Sequence, residues 1–132
     1  MTDTNFLNKK EAIERIGGDI DIYQSLLETF LDYYEKDLNE AEKLHKLFHA
    51  KAESVLSNSD MREHSRKTAH KIKGAAFTIG ADILGAAASE IELFLKEKNN
   101  GVTETNIERF KILLYNFTES YSKTILEIKK IN

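Results

Sequence analysis

DMREHSRKTAHKIKGAAFTIGADILGAAASEIE, residues 60–92, reads as two amphipathic helices joined by a tight turn. At roughly 100° per residue, Met61, Ser65, Thr68, Ala69, Ile72, Ala76 and Ile79 cluster on one side and form a core stripe. Asp60 suits the N-cap of this helix, which runs from about Met61 to Ile79. Gly80 suits its C-terminal stop, where a left-handed residue is often needed. A second helix from about Asp82 to Lys98 carries Leu84, Ala87, Ala88, Ile91 and Leu95 on one stripe, with Glu92 at the stripe's edge. Its small residues Gly85, Ala86, Ala87, Ala88 and Ser89 imply close approach to a neighbouring helix. A turn at Gly80 folds the second helix back along the first, which sets His70 and Glu92 roughly level.

The same pattern extends outward. Upstream, a short helix covers Lys9 to Ile16 and is broken by Gly17-Gly18, after which Asp19 or Asp21 can cap the next helix. Apolar residues then recur at Tyr23, Leu26, Leu27, Phe30, Leu31, Tyr34, Leu38, Ala41, Leu44, Phe48, Ala52 and Val55. This run is one long helix or two with a bend, and it ends near Ser57-Asn58-Ser59. Downstream, Asn99-Asn100-Gly101 is a loop signal, and Thr103 can cap a last helix whose stripe holds Ile107, Phe110, Leu114, Phe117, Tyr121, Ile125 and Ile128. The expectation is an all-α antiparallel helix bundle with a four-helix core and a short N-terminal helix. With no proline and only six glycines, a β-rich domain is disfavoured.

Composition narrows the class further. The 132 residues fit a single domain, 1–132, large enough to bury roughly two-thirds of the unfolded chain's surface. Without cysteine there are no disulfides and no thiolate chemistry. The net charge of −3, with both signs interleaved, gives no support to nucleic-acid binding. No apolar stretch approaches the ~20 residues that span a bilayer, and the N-terminus does not read as a signal peptide, so a cytoplasmic location is expected.

The outward face of residues 61–79 is unusual. His70 lies about 160° from Ile72, away from the core, because two helical steps turn roughly 200°. Lys73, Gly74 and Phe77 share its side, as do Glu63, Arg66 and Lys67 on the preceding turns. Each oddity has an ordinary explanation: a helix crossing for Gly74, contact with a neighbour for Phe77, solvation for His70. Together they describe a site. Gly74, placed mid-helix at a cost of about 1 kcal/mol against alanine, opens room for a partner's backbone, and Phe77 offers an apolar docking point. Imidazole is available as a neutral nucleophile near physiological pH. Phosphoryl transfer asks the protein mainly for positioning and charge compensation, and Lys73, one turn from His70, can supply the charge. The second ring nitrogen needs an acceptor to fix the tautomer, and Glu92 is the candidate, an ordinary surface carboxylate being the alternative.

At this point the residues resemble the histidine-containing phosphotransfer (HPt) family. His70-Lys71-Ile72-Lys73-Gly74-Ala75-Ala76, then Ile79-Gly80-Ala81, Leu84 and Ile91-Glu92, is similar to its signature, as is the upstream Ile16-Gly17-Gly18-Asp19 with Tyr23, Leu26, Leu27 and Phe30. Some members carry serines where Ala75 and Ala76 stand, so hydroxyl assistance is not expected here. The resemblance implies a carrier whose His70 takes a phosphoryl group from a receiver-domain phospho-aspartate, on the ring nitrogen farther from the main chain, and passes it to another receiver; the short chain, with no ATP-binding segment or receiver-like βα pattern in it, is expected to be a free-standing one. It further implies that Lys73 steadies the phosphoryl group, Gly74 permits close docking and Glu92 orients the ring. Glu63, Arg66, Lys67, Lys71 and Phe77 are expected to set partner choice. The implied partners are response-regulator receiver domains and a hybrid sensor histidine kinase. A monomer, neither kinase nor hydrolase, is expected, with no cofactor of its own and magnesium on the receiver.

Two rival readings use the same chain. His45 and His49, four residues apart, could share a helix face as metal ligands, but the Glu-x-x-His pair of a di-iron bundle occurs once, at Glu42, where two are needed. A bundle that docks a partner without being phosphorylated would use the same outward face.

Overall fold

Each interruption of the helical pattern has a local cause. Gly17 and Gly18 both adopt positive φ, 82° and 83°, and turn the chain after the first helix. Asp19 then caps the next helix by accepting from the Ile22 amide at 3.1 Å. The computed structural model describes residues 5–97 and 99–131. Among these residues it contains seven α-helices and no strand: α1 (Lys9–Arg15), α2 (Ile20–Leu31), α3 (Leu38–Phe48), α4 (Ala52–Ser57), α5 (Ser59–Thr78), α6 (Asp82–Lys96) and α7 (Glu104–Ile131).

The long apolar run is neither one helix nor two. It comprises α2, α3 and α4, with a π-helical turn over Asp32–Lys36 between the first two. The Asp37 amide bonds back to the Asp32 carbonyl at 2.8 Å, and Asp37 leaves the helical region to cap α3, accepting from the amides of Asn39 and Glu40 at 2.8 and 3.0 Å. Two other expectations at the start of α5 are corrected. Asn58, not Asp60, is the N-cap: its extended backbone lets its side chain accept from the amides of Asp60 and Met61 at 3.0 Å each. Asp60 sits inside the first turn, where its charge favours the helix N-terminus. Met61 is not core; it is 40% exposed, because the first turn of α5 lies at the rim of the groove between α3, α4 and α5. The far end of α6 falls at Lys96, and Lys98, its expected terminus, lies outside the described residues. Thr103 caps α7, its hydroxyl accepting from the Asn106 amide at 3.1 Å.

α2 and α3 together make one bent rod antiparallel to α5. The Tyr23 hydroxyl donates to the Ile79 carbonyl at 2.7 Å near one end, and Lys71 reaches Glu40 further along. α6 returns along α5 and α7 along α6, where the rings of Phe94 and Phe110 stack 5.6 Å apart. α7 closes the bundle on α3, with Phe48 packed 5.3 Å from Phe117 and 5.1 Å from Tyr121. Leu27, Leu44, Ile72, Leu84, Ile91, Phe110, Phe117 and Ile128 are fully buried between the four. The architecture is therefore the expected antiparallel bundle, with one of its four members a composite rod and with α1 and α4 as short additions.

The α5–α6 hairpin is pinned at both ends, and this fixes the register of the two helices that face each other. At the turn, the Ala81 amide donates to the Ala76 carbonyl at 2.8 Å and the Gly80 amide to Phe77 at 3.2 Å, with Gly80 at φ +80°. This is a Schellman stop. Arg15 adds a 2.7 Å bond to the Phe77 carbonyl. At the open end, Arg62 of α5 donates to the carbonyls of Leu95, Glu97 and Asn100 at 2.9, 2.9 and 2.8 Å, which ties α5 to the last turn of α6 and to the loop that follows it. Arg62→Ala is expected to lower stability by about 2 kcal/mol, since several charge-assisted bonds to a helix terminus are lost together. Arg62→Lys should recover only part of this, because one ammonium cannot span three carbonyls. Urea denaturation of the two variants measures both; a loss for Arg62→Ala below about 0.5 kcal/mol would show that the clamp contributes no more than an ordinary surface contact.

Candidate functional site

α5 carries its core stripe inward, with Ala69, Ile72 and Ala76 fully buried, and so turns His70 outward; the His70 side chain is 63% exposed. Glu92 comes from the facing helix and is 1% exposed. A carboxylate so deeply placed needs partners. His70 Nδ1 lies 2.6 Å from Glu92 Oε2, and Lys73 Nζ donates to Glu92 Oε1 at 2.6 Å. Two more cations stand near Oε2: Lys96 Nζ at 3.5 Å and Arg66 Nη1 at 3.7 Å.

Burial by itself would raise the Glu92 pKa, but the hydrogen bonds from Lys73 and His70 outweigh it and hold the carboxyl down to about 2. Glu92 is thus ionised at neutral pH and can only accept. In the neutral imidazole, Nδ1 must then be the donating nitrogen, and Nε2 keeps its lone pair on the solvent side of the ring. The arrangement can hold one nucleophilic nitrogen in a fixed direction while the ring proton stays against a buried anion.

The structure brings His70, Lys73 and Glu92 into one hydrogen-bonded group. Gly74 is exposed, and a β-carbon built there would meet nothing within 4 Å, so its missing side chain faces open space beside His70. Phe77 is 39% exposed, and its ring lies against Gly85 of α6, where an added β-carbon would come within 2.7–2.8 Å of it. Phe77 thus both packs on the neighbouring helix and shows an edge to solvent. Gly85 is where the small-residue run of α6 serves close packing. Arg66 donates to Glu63, and Lys67 is exposed. Lys71 is placed differently from the expected docking set. Its ammonium turns away from His70, donates to Glu40 Oε1 at 3.1 Å and lies 5.2 Å over the Tyr33 ring, tying α5 to the bent rod.

Lys96 was missed in the sequence, although Glu92-x-x-x-Lys96 is the spacing of a helical ion pair. His45, in α3, and His49, at its C-cap, do lie side by side, with rings parallel and 6.4 Å apart. Among the described residues no group of three or more His, Asp or Glu side chains is placed to hold a metal ion. Also among them, no helix is long and apolar enough to cross a membrane.

Fold and site define a class of protein: a helical bundle that presents one carboxylate-oriented histidine on an exposed helix face, bordered by cations. A family model for the Hpt domain matches residues 25–120, and the chain belongs to that family. Hpt domains serve histidine phosphotransfer in phosphorelays; they are carriers, and they interact with receiver domains and kinases of two-component systems. No curated protein and no solved structure matches the chain.

Proposed function

We propose that this protein is a phosphorelay carrier that accepts a phosphoryl group from a receiver-domain phospho-aspartate onto Nε2 of His70 and passes it to a second receiver. The observation that supports this most is the 2.6 Å contact of Nδ1 with a buried carboxylate, made by a ring that is otherwise 63% exposed. The Nε2 lone pair attacks phosphorus in line, the bond from phosphorus to the aspartyl oxygen breaks, and the aspartate carboxylate leaves. The ring proton remains on Nδ1, where Glu92 offsets the positive charge the ring gains. Transfer to the next receiver reverses these steps. Lys73, already at the site, meets the phosphoryl charge, and magnesium is held by the receiver. The protein acts as a monomer in the cytoplasm, so that the His70 face stays free for each partner in turn, and it performs neither phosphorylation from ATP nor hydrolysis.

The test is transfer of label from phosphorylated receiver domains of the same organism, tried one by one. Label on the native protein that is lost in acid, stable in base and absent from His70→Gln supports the reading. Folded native protein that takes no label from any receiver leaves only a partner-docking bundle. A second measurement addresses the open space at Gly74. Gly74→Leu is expected to stabilise the fold by about 0.5–1 kcal/mol, because the position is helical and exposed and a β-carbon there meets no neighbour within 4 Å. The same change should slow transfer from a receiver more than about tenfold, by holding the partner's backbone away. Transfer at the native rate would remove Gly74 from the docking surface.

A further inference from the structure

We propose that Arg66 is a phosphoryl-binding residue of the His70 site and that Glu63 competes for it; this rests on the reading that His70 carries the phosphoryl group. On α5, Arg66 stands four residues before His70 and Lys73 three after, so the two cations bracket the imidazole on consecutive turns of one face. Arg66 Nη1 lies 3.7 Å from Glu92 Oε2, the same oxygen that receives His70 Nδ1. The guanidinium therefore already sits at the ring's corner of the carboxylate.

Charge balance gives it work to do there. A phosphoryl group brings between one and two negative charges to Nε2. Lys73, the nearest ammonium, is already hydrogen-bonded to Glu92, so one shared cation would face two anions. A guanidinium can donate two parallel bonds to phosphoryl oxygens, which an ammonium cannot match. Lys96 also lies close to Glu92, but its side chain is 54% exposed against 23% for Arg66, so Arg66 is the better-held cation. Before phosphorylation Arg66 Nε donates to Glu63, a half-exposed carboxylate one turn earlier. Arg66 is thus divided between two carboxylates, and a phosphoryl group on Nε2 has to draw it from Glu63.

Phosphoramidate, a small donor with no docking surface, separates chemistry at the site from partner recognition. Its P–N bond breaks, ammonia leaves with a proton from solvent, and a new P–N bond forms to Nε2. Rates are followed by phosphorus NMR for the native protein, Arg66→Gln, Arg66→Lys and Glu63→Gln, each checked for helix content, with transfer from a receiver measured in parallel. Arg66→Gln is expected to be phosphorylated about tenfold more slowly, as for loss of one donor to a developing phosphoryl charge, with Arg66→Lys in between. Glu63→Gln is expected to be about twofold faster, since only an exposed ion pair is released. Unchanged phosphoramidate rates with slower receiver transfer in Arg66→Gln would make Arg66 a docking residue and overturn the proposal. If Arg66→Gln misfolds, Glu63→Gln decides, because it keeps Arg66, and a rate no higher than native overturns the proposal. Native protein that takes phosphoryl from neither phosphoramidate nor a receiver removes the reading of His70 itself, and the role of Arg66 falls with it.

Discussion

Glu92→Ala is expected to slow phosphoryl transfer on the order of a hundredfold, whereas Glu92→Gln should slow it less than about tenfold. Alanine leaves His70 Nδ1 without an acceptor, so the ring loses both its tautomer and its direction. Glutamine keeps a carbonyl oxygen that can accept from Nδ1 but gives up the charge that holds Lys73 and steadies the imidazolium. Stopped-flow transfer from a receiver distinguishes the two; equal and slight losses would mean that Glu92 does not orient the ring. The same residue sets a pH dependence of folding. Its pKa is held down to about 2 from an ordinary 4.5, so the unfolded chain binds the proton more readily. The stability this gives is fully present above about pH 4.5 and is lost as pH falls toward 2. In a dry interior the shift would carry about 3 kcal/mol; because His70, Lys73, Arg66 and Lys96 are partly solvated, about 1–2 kcal/mol is expected. Urea titrations at pH 6 and pH 3 should show a larger acid loss for the native protein than for Glu92→Gln, which has no proton to gain there. Parallel losses would place the acid sensitivity elsewhere.

Gly80→Ala is expected to destabilise the fold by about 2–4 kcal/mol, the opposite sign to the change at Gly74. Two causes add. Gly80 sits at φ +80°, which costs an L-residue about 1–2 kcal/mol. A β-carbon there would also come 2.5 Å from the Asn8 carbonyl oxygen and 3.0 Å from the Ala12 β-carbon. Backbone must move to relieve the first contact, and the bond from the Asn8 amide to the Gly80 carbonyl, 2.8 Å, lies in the same place. The expected relief is withdrawal of the segment around α1 from the α5–α6 turn. Denaturation measures the loss, and limited proteolysis near Asn8 reports where it is felt; a cost under 1 kcal/mol would mean that the turn tolerates a side chain.

The helix pair at the centre of this protein was legible because its signals are local. The periodic Ser65, Thr68, Ala69, Ile72, Ala76 and Ile79, the stop at Gly80 and the stripe from Leu84 to Leu95 fixed which way His70 faces before any packing was known. The similar distances of His70 and Glu92 from Gly80, ten residues and twelve, set them roughly level for the same reason: rise per residue is constant along both helices. The break at Asp37 was also written locally, in Asp37 followed three residues later by Glu40, but it lay inside a continuous apolar stripe that outweighed it. Met61 failed in the other direction, since periodicity places a residue on a face but not inside the length that a neighbour covers.

What tertiary structure decided is where long polar side chains end. Periodicity fixes the direction in which a side chain leaves the helix, while the ends of Lys and Arg can swing through several ångströms to whichever anion or carbonyl another element supplies. Lys71 was drawn to Glu40 and Tyr33, Arg62 to the end of α6, and Arg66 to the neighbourhood of Glu92. The sequence by itself determined the bundle, the outward histidine, the level of its carboxylate and the placing of Lys96 one turn after it; only the packed helices determined that Lys73 and Arg66 also reach that carboxylate, because those contacts join residues of two helices that no local spacing relates.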